Sequence, residues 1–416
     1  MLLKNLTLND KITDILIEGD KIAKIGKIDG EGIDCKGLTC LPAFCDMHVH
    51  LREPGQTAKE DIESGTRAAV RGGYSDVCCM PNTTPVIDSE YMVEYVKLKS
   101  EKVASCSVHP IGAITVGSKS EFLTEMRKMT DKGAIAFSDD GRPVENANVM
   151  KLALEYAKDI DTLLISHCEE KSLAKDGVMN EGLVATELGL KGISSASEEV
   201  MVAREIILAE SLNTRVHIAH ISTKGSVQLI REAKARGVKV SCETCPHYFS
   251  ATDELADGYN TFAKVNPPLR SEEDRKAIIE GIKDGTIDVI ATDHAPHTKK
   301  DKECTFDEAA NGISGLETAF SLSYTSLVKS GVITLDRLVE LMSVRPRELV
   351  KLPSNEVKEG NNANITLVDL DATYKIDRNT FFSKGKNTPF DKWEVQGKVV
   401  KTIVNGKLKY DDGEIK

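Results

Sequence analysis

Between residues 43 and 292 short apolar runs alternate with segments of helical periodicity, and this alternation constrains the fold more than any other feature of the chain. The runs fall near 43–50, 74–80, 104–114, 133–138, 162–167, 215–221, 237–243 and 287–292. Helical patterns such as Glu60 to Arg71, Val149 to Lys158, Glu198 to Leu212 and Glu273 to Lys283 fill the gaps. Eight strand–helix units over about 300 residues predict an α/β protein, a (β/α)8 TIM barrel over residues 44–353. A doubly wound open sheet is the structural alternative, but no Gly-x-Gly-x-x-Gly follows the first strand.

Both chain ends have a different character. Asp14-Ile15-Leu16-Ile17-Glu18, a Gly19-Asp20 turn and Lys21-Ile22-Ala23-Lys24-Ile25 read as a β-hairpin. Near the C-terminus, residues 364–368 and 399–404 read as strands, and Asn405-Gly406 as a hairpin turn into 407–410. Each end is too small to be stable alone. Together they predict a small β-sandwich domain of residues 1–43 plus 354–416, bordered by Pro42 and Pro353.

Composition narrows the partners. A net charge of -11 with no long basic run argues against nucleic acid and anionic membranes. No stretch approaches a membrane span, and Met1 to Asp10 lacks the apolar core of a signal peptide. The ten cysteines are scattered, several inside apolar runs, as expected of buried thiols in a reducing compartment. A cytoplasmic protein is the expectation. Cys242-x-x-Cys245 stands without a second such pair, so zinc-ribbon and redox readings are weak.

Polar residues collect where the strands end. The first run, Phe44-Cys45-Asp46-Met47-His48-Val49-His50, places two histidines on one side by strand alternation, with Met47 and Val49 facing the other. A lone His-x-His is as well explained by two hydrogen-bonded core histidines. Further runs, however, end in Asp139-Asp140, His167, His220 and Asp293-His294, which puts four histidines and two carboxylates at the C-terminal mouth of one barrel. Imidazole and carboxylate without thiolate suit zinc or another divalent first-row metal. That is too many donors for one catalytic zinc, so a carboxylate shared between two ions is expected. Such a pair suits hydrolysis of an amide-like bond.

At this point the chain resembles a known family. Asp46-x-His48-x-His50-x-Arg52, Met80-Pro81-Asn82-Thr83, Asn266-Pro267-Pro268-Leu269-Arg270 and Ala291-Thr292-Asp293-His294-Ala295-Pro296-His297 are similar to motifs of the dihydroorotases, in the amidohydrolase superfamily. The match is closest to bacterial members that bridge their metals with an aspartate, and it extends to Lys386-Asn387-Thr388-Pro389-Phe390. The resemblance implies reversible cyclisation of N-carbamoyl-L-aspartate to L-dihydroorotate in pyrimidine synthesis. It implies two Zn2+ per subunit, His48 and His50 on one, His167 and His220 on the other, Asp140 between them and Asp293 completing the first. Asp293 would also move the proton between the attacking water and the leaving nitrogen. Arg52, Asn82 and His297 would hold the substrate carboxylate, with His50, Asn266 and the Asn311-Gly312 backbone also near the substrate. A homodimer is implied, with aspartate transcarbamoylase as a candidate partner.

Several positions carry a plainer reading. Strand alternation cannot choose between adjacent Asp139 and Asp140; the family pattern favours Asp140. Lys132 lies too far before its strand end to serve as a carboxylated bridge. His217, His109, His247 and His294 are expected in structural or supporting roles; Glu169-Glu170 is either close to the metal or a solvated helix start, the second being favoured. Thr298 to Glu308 is either an ordinary exposed loop or a cover over the site, with some mobility expected. Asn311-Gly312 departs from relatives that carry an aromatic before the glycine. Two other functions compete: a hydantoinase- or allantoinase-type cyclic amidase, and an inactive scaffold for aspartate transcarbamoylase.

Overall fold

The structure is a computed structural model that describes all residues, Met1–Lys416. Eight parallel strands form the barrel: Phe44–Val49, Tyr74–Cys79, Ser107–Gly112, Ala136–Phe137, Ile165–Ser166, Val216–Ile218, Val240–Thr244 and Val289–Ile290. The first four pair in sequence order, as do the last four. Parallel bridges Phe137↔Leu164 and Val49↔His294 join the two ladders at both seams and close the cylinder. Closure leaves no unpaired edge. Each strand run expected from the sequence is present.

Two apolar layers hold the barrel. Inside it, Met47, Cys78, Ile111, Ala136, Ile165 and Val289 belong to one cluster of small and mid-sized side chains. Outside, a 58-residue cluster lies between strands and helices. The helices start at capping residues, for example Asp61 before Ile62–Arg71 and Ser271 before Glu272–Lys283. One local expectation fails. Met47 packs inside the barrel while Val49 packs in the outer layer, because the ladder to the second strand shifts register between Asp46 and Val49. Strict alternation therefore does not hold through this strand, yet His48 and His50 still converge, their ring centroids 5.4 Å apart.

The chain ends share a nine-stranded sheet. Strand Thr39–Pro42 runs antiparallel to Ile365–Lys375, with Ile365 opposite Pro42. Asn405 and Gly406, both at positive φ, turn Glu394–Val404 into Lys407–Asp411 as the sequence predicts. Leu3, Leu6, Ile15 and Ile17 from one end pack with Ile365, Leu367 and Ile403 from the other. Neither end could cover these side chains alone, which is the physical reason they pair.

Candidate active site

Asp140 sits where four imidazoles meet. Its Oδ2 lies 3.3 Å from His48 Nε2 and 3.4 Å from His50 Nε2. Its Oδ1 lies 3.3 Å from His220 Nε2 and 3.5 Å from His167 Nδ1. Asp293 Oδ1 approaches the first pair only, 3.0 Å from His50 Nε2 and 3.5 Å from His48 Nε2. All six side chains are buried. They come from five strand ends, and the chain bends sharply to aim them: His220 and Asp293 take positive φ, at 32° and 45°. Such backbone is costly and persists where the surroundings enforce it. Burial alone would raise the Asp140 pKa, but His48, His167 and His220 hold its carboxyl well below the usual range.

The donor set fits metal. His48, His50 and Asp140 present ligand atoms within 4.8 Å of one another, and so do Asp140, His167 and His220. His48 Nε2, His167 Nε2 and His220 Nδ1 are buried without any hydrogen-bond partner. Orphaned buried polar atoms are expensive, and a cation beside Asp140 would satisfy His48 Nε2, which faces Asp140 Oδ2. Asp139 turns away: its carboxylate accepts from the Ile114 and Thr115 amides and the Thr115 hydroxyl, tying the fourth strand to the third.

A second layer orients the ligands. His48 Nδ1 lies 2.5 Å from Glu243 Oε1, and a carboxylate only accepts, so this nitrogen carries a proton and Nε2 is the atom that a bound cation would take. Glu243 Oε2 accepts from His217 Nε2 at 3.2 Å, and His217 Nδ1 meets Ser241 Oγ at 2.8 Å. Against burial, His48 and His217 hold the Glu243 carboxyl far below the usual range. Nothing in the sequence singles out Glu243; its signal, a carboxylate inside an otherwise apolar strand, needs the partner 195 residues away to be read. His50 Nδ1 donates likewise to Asn82 Oδ1 at 2.9 Å. His294 has the structural role expected of it, accepting from the Gly315 and Leu316 amides and facing Glu60.

On the other side of the cluster stand Arg52 and His297. Arg52 Nε donates to the Pro296 carbonyl at 3.3 Å, and its Nη2 lies 3.4 Å from His297 Nε2. Burial pushes the Arg52 pKa down to about 10, which leaves it charged at neutral pH. Burial, then Arg52 and Lys59, push His297 down to about 3, so its imidazole is neutral. His297 Nε2 also donates to the Asn311 carbonyl at 2.8 Å. Asn311 is exposed, whereas the buried Gly312 amide is spent on the Lys264 carbonyl at 3.0 Å. Asn266 Nδ2 donates to Glu169 Oε1 at 3.0 Å, and Glu169 Oε2 is 3.8 Å from His167 Nε2. Glu169 is thus no solvated helix start but faces the cluster. Burial opposes its ionisation, yet His167 and Asn266 hold its pKa at about 2. A polar cavity of about 420 Å³, lined by Gln56, Asn82, Asp140 and Arg142, opens beside Asp140.

The 298–312 segment is pinned beside it. Thr298 and Asp301 form a capping box on helix Lys299–Lys302. Lys302 is 1% exposed, and its ammonium donates to the carbonyls of Lys264, Ala310 and Gly312 at 2.8 to 3.3 Å. Lys264 Nζ in turn donates to the Phe306 and Asp307 carbonyls. An ordinary exposed loop does not describe this segment.

A family profile described as "Dihydro-orotase-like" matches residues 37–226. The dihydroorotase of Geobacter metallireducens is 50% identical over 406 residues, covering 96% of each chain. That of Thermoanaerobacter sp. is 52% identical over 419 residues, covering 99% of this chain and 97% of its own. The chain belongs to the dihydroorotase family. Membership makes it a hydrolase acting on a cyclic amide. Solved structures agree on the fold: L-hydantoinase from Arthrobacter aurescens superposes with a TM-score of 0.88 at 26% identity, over all of this chain and 97% of that one. Dihydropyrimidinase from Brevibacillus agri superposes at 0.87 with 21% identity, covering 100% and 95%. The dihydroorotase pattern Asp-x-His-x-His-x-Arg thus lies at the first strand end of a barrel shared with other cyclic amidases.

Proposed function

We propose that the six-residue cluster holds two divalent ions, zinc by choice of donors, and interconverts N-carbamoyl-L-aspartate and L-dihydroorotate. His48, His50 and Asp293 would hold one ion, His167 and His220 the other, with Asp140 giving one oxygen to each. The observation that supports the reading most is Asp140 lying between two pairs of imidazoles, one carboxylate oxygen within 3.3–3.5 Å of a ring nitrogen of each member of a pair. Bound there, the ions would polarise the amide carbonyl and bring the attacking water toward neutrality.

The protein's own groups do the rest. Asp293 accepts the proton from the attacking water and delivers it to the leaving ring nitrogen, and reverses both transfers in ring closure. Arg52 grips the substrate carboxylate, its planar fork suited to two parallel hydrogen bonds. Neutral His297 and Asn82 complete that cradle, with Asn266 and the Asn311 amide nearer the ring. Gly312 is the weak member of the expected set, because Lys264 already takes its amide.

A cytoplasmic location is part of this reading, supported by nine of the ten free thiols being buried. A homodimer, with aspartate transcarbamoylase as a candidate partner, follows from the family resemblance. The test is metal analysis of purified protein beside assays of ring opening at alkaline pH and closure at acid pH. Two ions per subunit with turnover in both directions is expected. Preference for hydantoin or allantoin would make it a different cyclic amidase, and metal-free, inactive protein a scaffold.

A further inference from the structure

The opposite end of the barrel holds a cavity of about 430 Å³ in the seam between helix Glu90–Val103, the third strand and the C-terminal hairpin. Lys97, Lys407 and Lys409 line it, and none of the three makes an ion pair or a side-chain hydrogen bond. Their neighbours do otherwise: Lys132 pairs with Glu94, Lys398 with Asp412, and Lys401 with Asp411. Glu101 is the one acid on the wall. In a chain of net charge -11, three lysines without an ion pair lining one hollow make a local inversion of the field.

The back of the cavity is built rather than incidental. His109 lines it, and its Nε2 donates to the buried Asp76 carboxylate at 2.8 Å. Asp76 is fixed from behind by the buried Arg347 guanidinium and by Ser75. One ring nitrogen is therefore committed to the barrel; His109 Nδ1 makes no hydrogen bond within the chain and would donate to an anion in the imidazolium form, with Asp76 as the ring's counter-ion. Val108 and Val404 add apolar wall beside the polar floor. The volume lies within the range of small-ligand pockets and exceeds what a bare tetrahedral anion fills.

We infer that this cavity binds a phosphate-type dianion, held by Lys97, Lys407 and Lys409 against His109, on the face of the barrel remote from the metal cluster. The anion would relieve the mutual repulsion of the three ammonium groups and give each a charge-assisted hydrogen bond. A phosphate monoester would place its organic part along Val108 and Val404; free phosphate would use the polar floor alone.

The proposal is tested on the metal-loaded protein by calorimetry and thermal denaturation with sodium phosphate, against sodium chloride at equal ionic strength, and with adenosine 5′-monophosphate as the monoester. Saturable phosphate binding with a raised Tm is expected, and tighter binding of the nucleotide would identify the monoester as the preferred source. Each of K97Q, K407Q and K409Q should weaken binding by about tenfold, the worth of one charge-assisted hydrogen bond. The triple variant should lose the phosphate shift, melt no lower than the parent without phosphate, and turn over dihydroorotate at the parental rate. If the triple variant does not fold, K407E alone, at an exposed position, carries the same expectation for binding. No saturable binding over the chloride control, or binding that survives these substitutions, would overturn the proposal.

Discussion

Arg52 and Glu243 act on the same cluster from opposite sides, and their removal separates substrate recognition from ligand orientation. Arg52→Met keeps the buried stem but removes the fork. In the proposed reading kcat/KM for dihydroorotate falls by roughly two to three orders of magnitude while metal content stays at the parental level. Near-normal turnover would take Arg52 out of the carboxylate cradle. Glu243→Gln leaves the substrate side untouched, but an amide can present either an oxygen or an NH2 to His48, so the proton on Nδ1 is no longer enforced. Metal affinity in a chelator competition should drop roughly 10- to 100-fold, with activity recovering in excess metal. Lost activity at unchanged affinity would make Glu243 merely structural. At this scale the sequence exposes the cluster, since charged and imidazole groups at apolar strand ends need a reason to be there. It is silent where a choice depends on backbone twist: alternation cannot separate Asp139 from Asp140, and the Glu169 side chain turns inward only because Asn266 and His167 meet it there.

Elements show the same division between what periodicity carries and what contacts decide. The eight strand runs are legible because burial on both faces makes them continuously apolar. Their ladders are shorter than the runs, only Ala136–Phe137, Ile165–Ser166 and Val289–Ile290 in three cases, because the chain leaves the ladder early to turn polar side chains into the mouth. The short parallel pair Met179–Asn180 with Gly192–Ile193 has no periodicity to reveal it. The 298–312 segment reads as a charged surface loop, yet Lys302 is buried among carbonyls, a feature no pattern of charges announces. Lys302→Met keeps the stem and removes the ammonium, leaving three carbonyls without their shared donor. The expected result is faster proteolysis within 303–308 and a KM for dihydroorotate raised several-fold, with kcat and metal content little changed. An unchanged cleavage rate would show that the segment is held by its other contacts.

For the whole molecule, pairing of the two chain ends is foreseeable in kind, since each is a fragment of sheet with an apolar face and no partner. Its register is not, because Ile365 opposite Pro42 is set by packing across more than 300 residues of intervening barrel. The barrel has an equivalent long-range tie in Asp76, which joins the second strand to His109 on the third and to Arg347 near the end of the barrel. Burial alone would raise the Asp76 pKa, but His109 and Arg347 hold it at about 2, below the unfolded value of 3.8. A depressed carboxylate pKa stabilises the fold above the unfolded value, and that contribution is lost as pH falls from about 4 through 2. The shift corresponds to about 2 kcal/mol, and removing the carboxylate also strands a buried guanidinium. Asp76→Asn should therefore lower stability at pH 6 by roughly 2–4 kcal/mol in urea denaturation, with the gap to the parent closing as the pH is taken from about 4 toward 2. A gap that stays constant across that range would mean that Asp76 acts through packing and not through its charge.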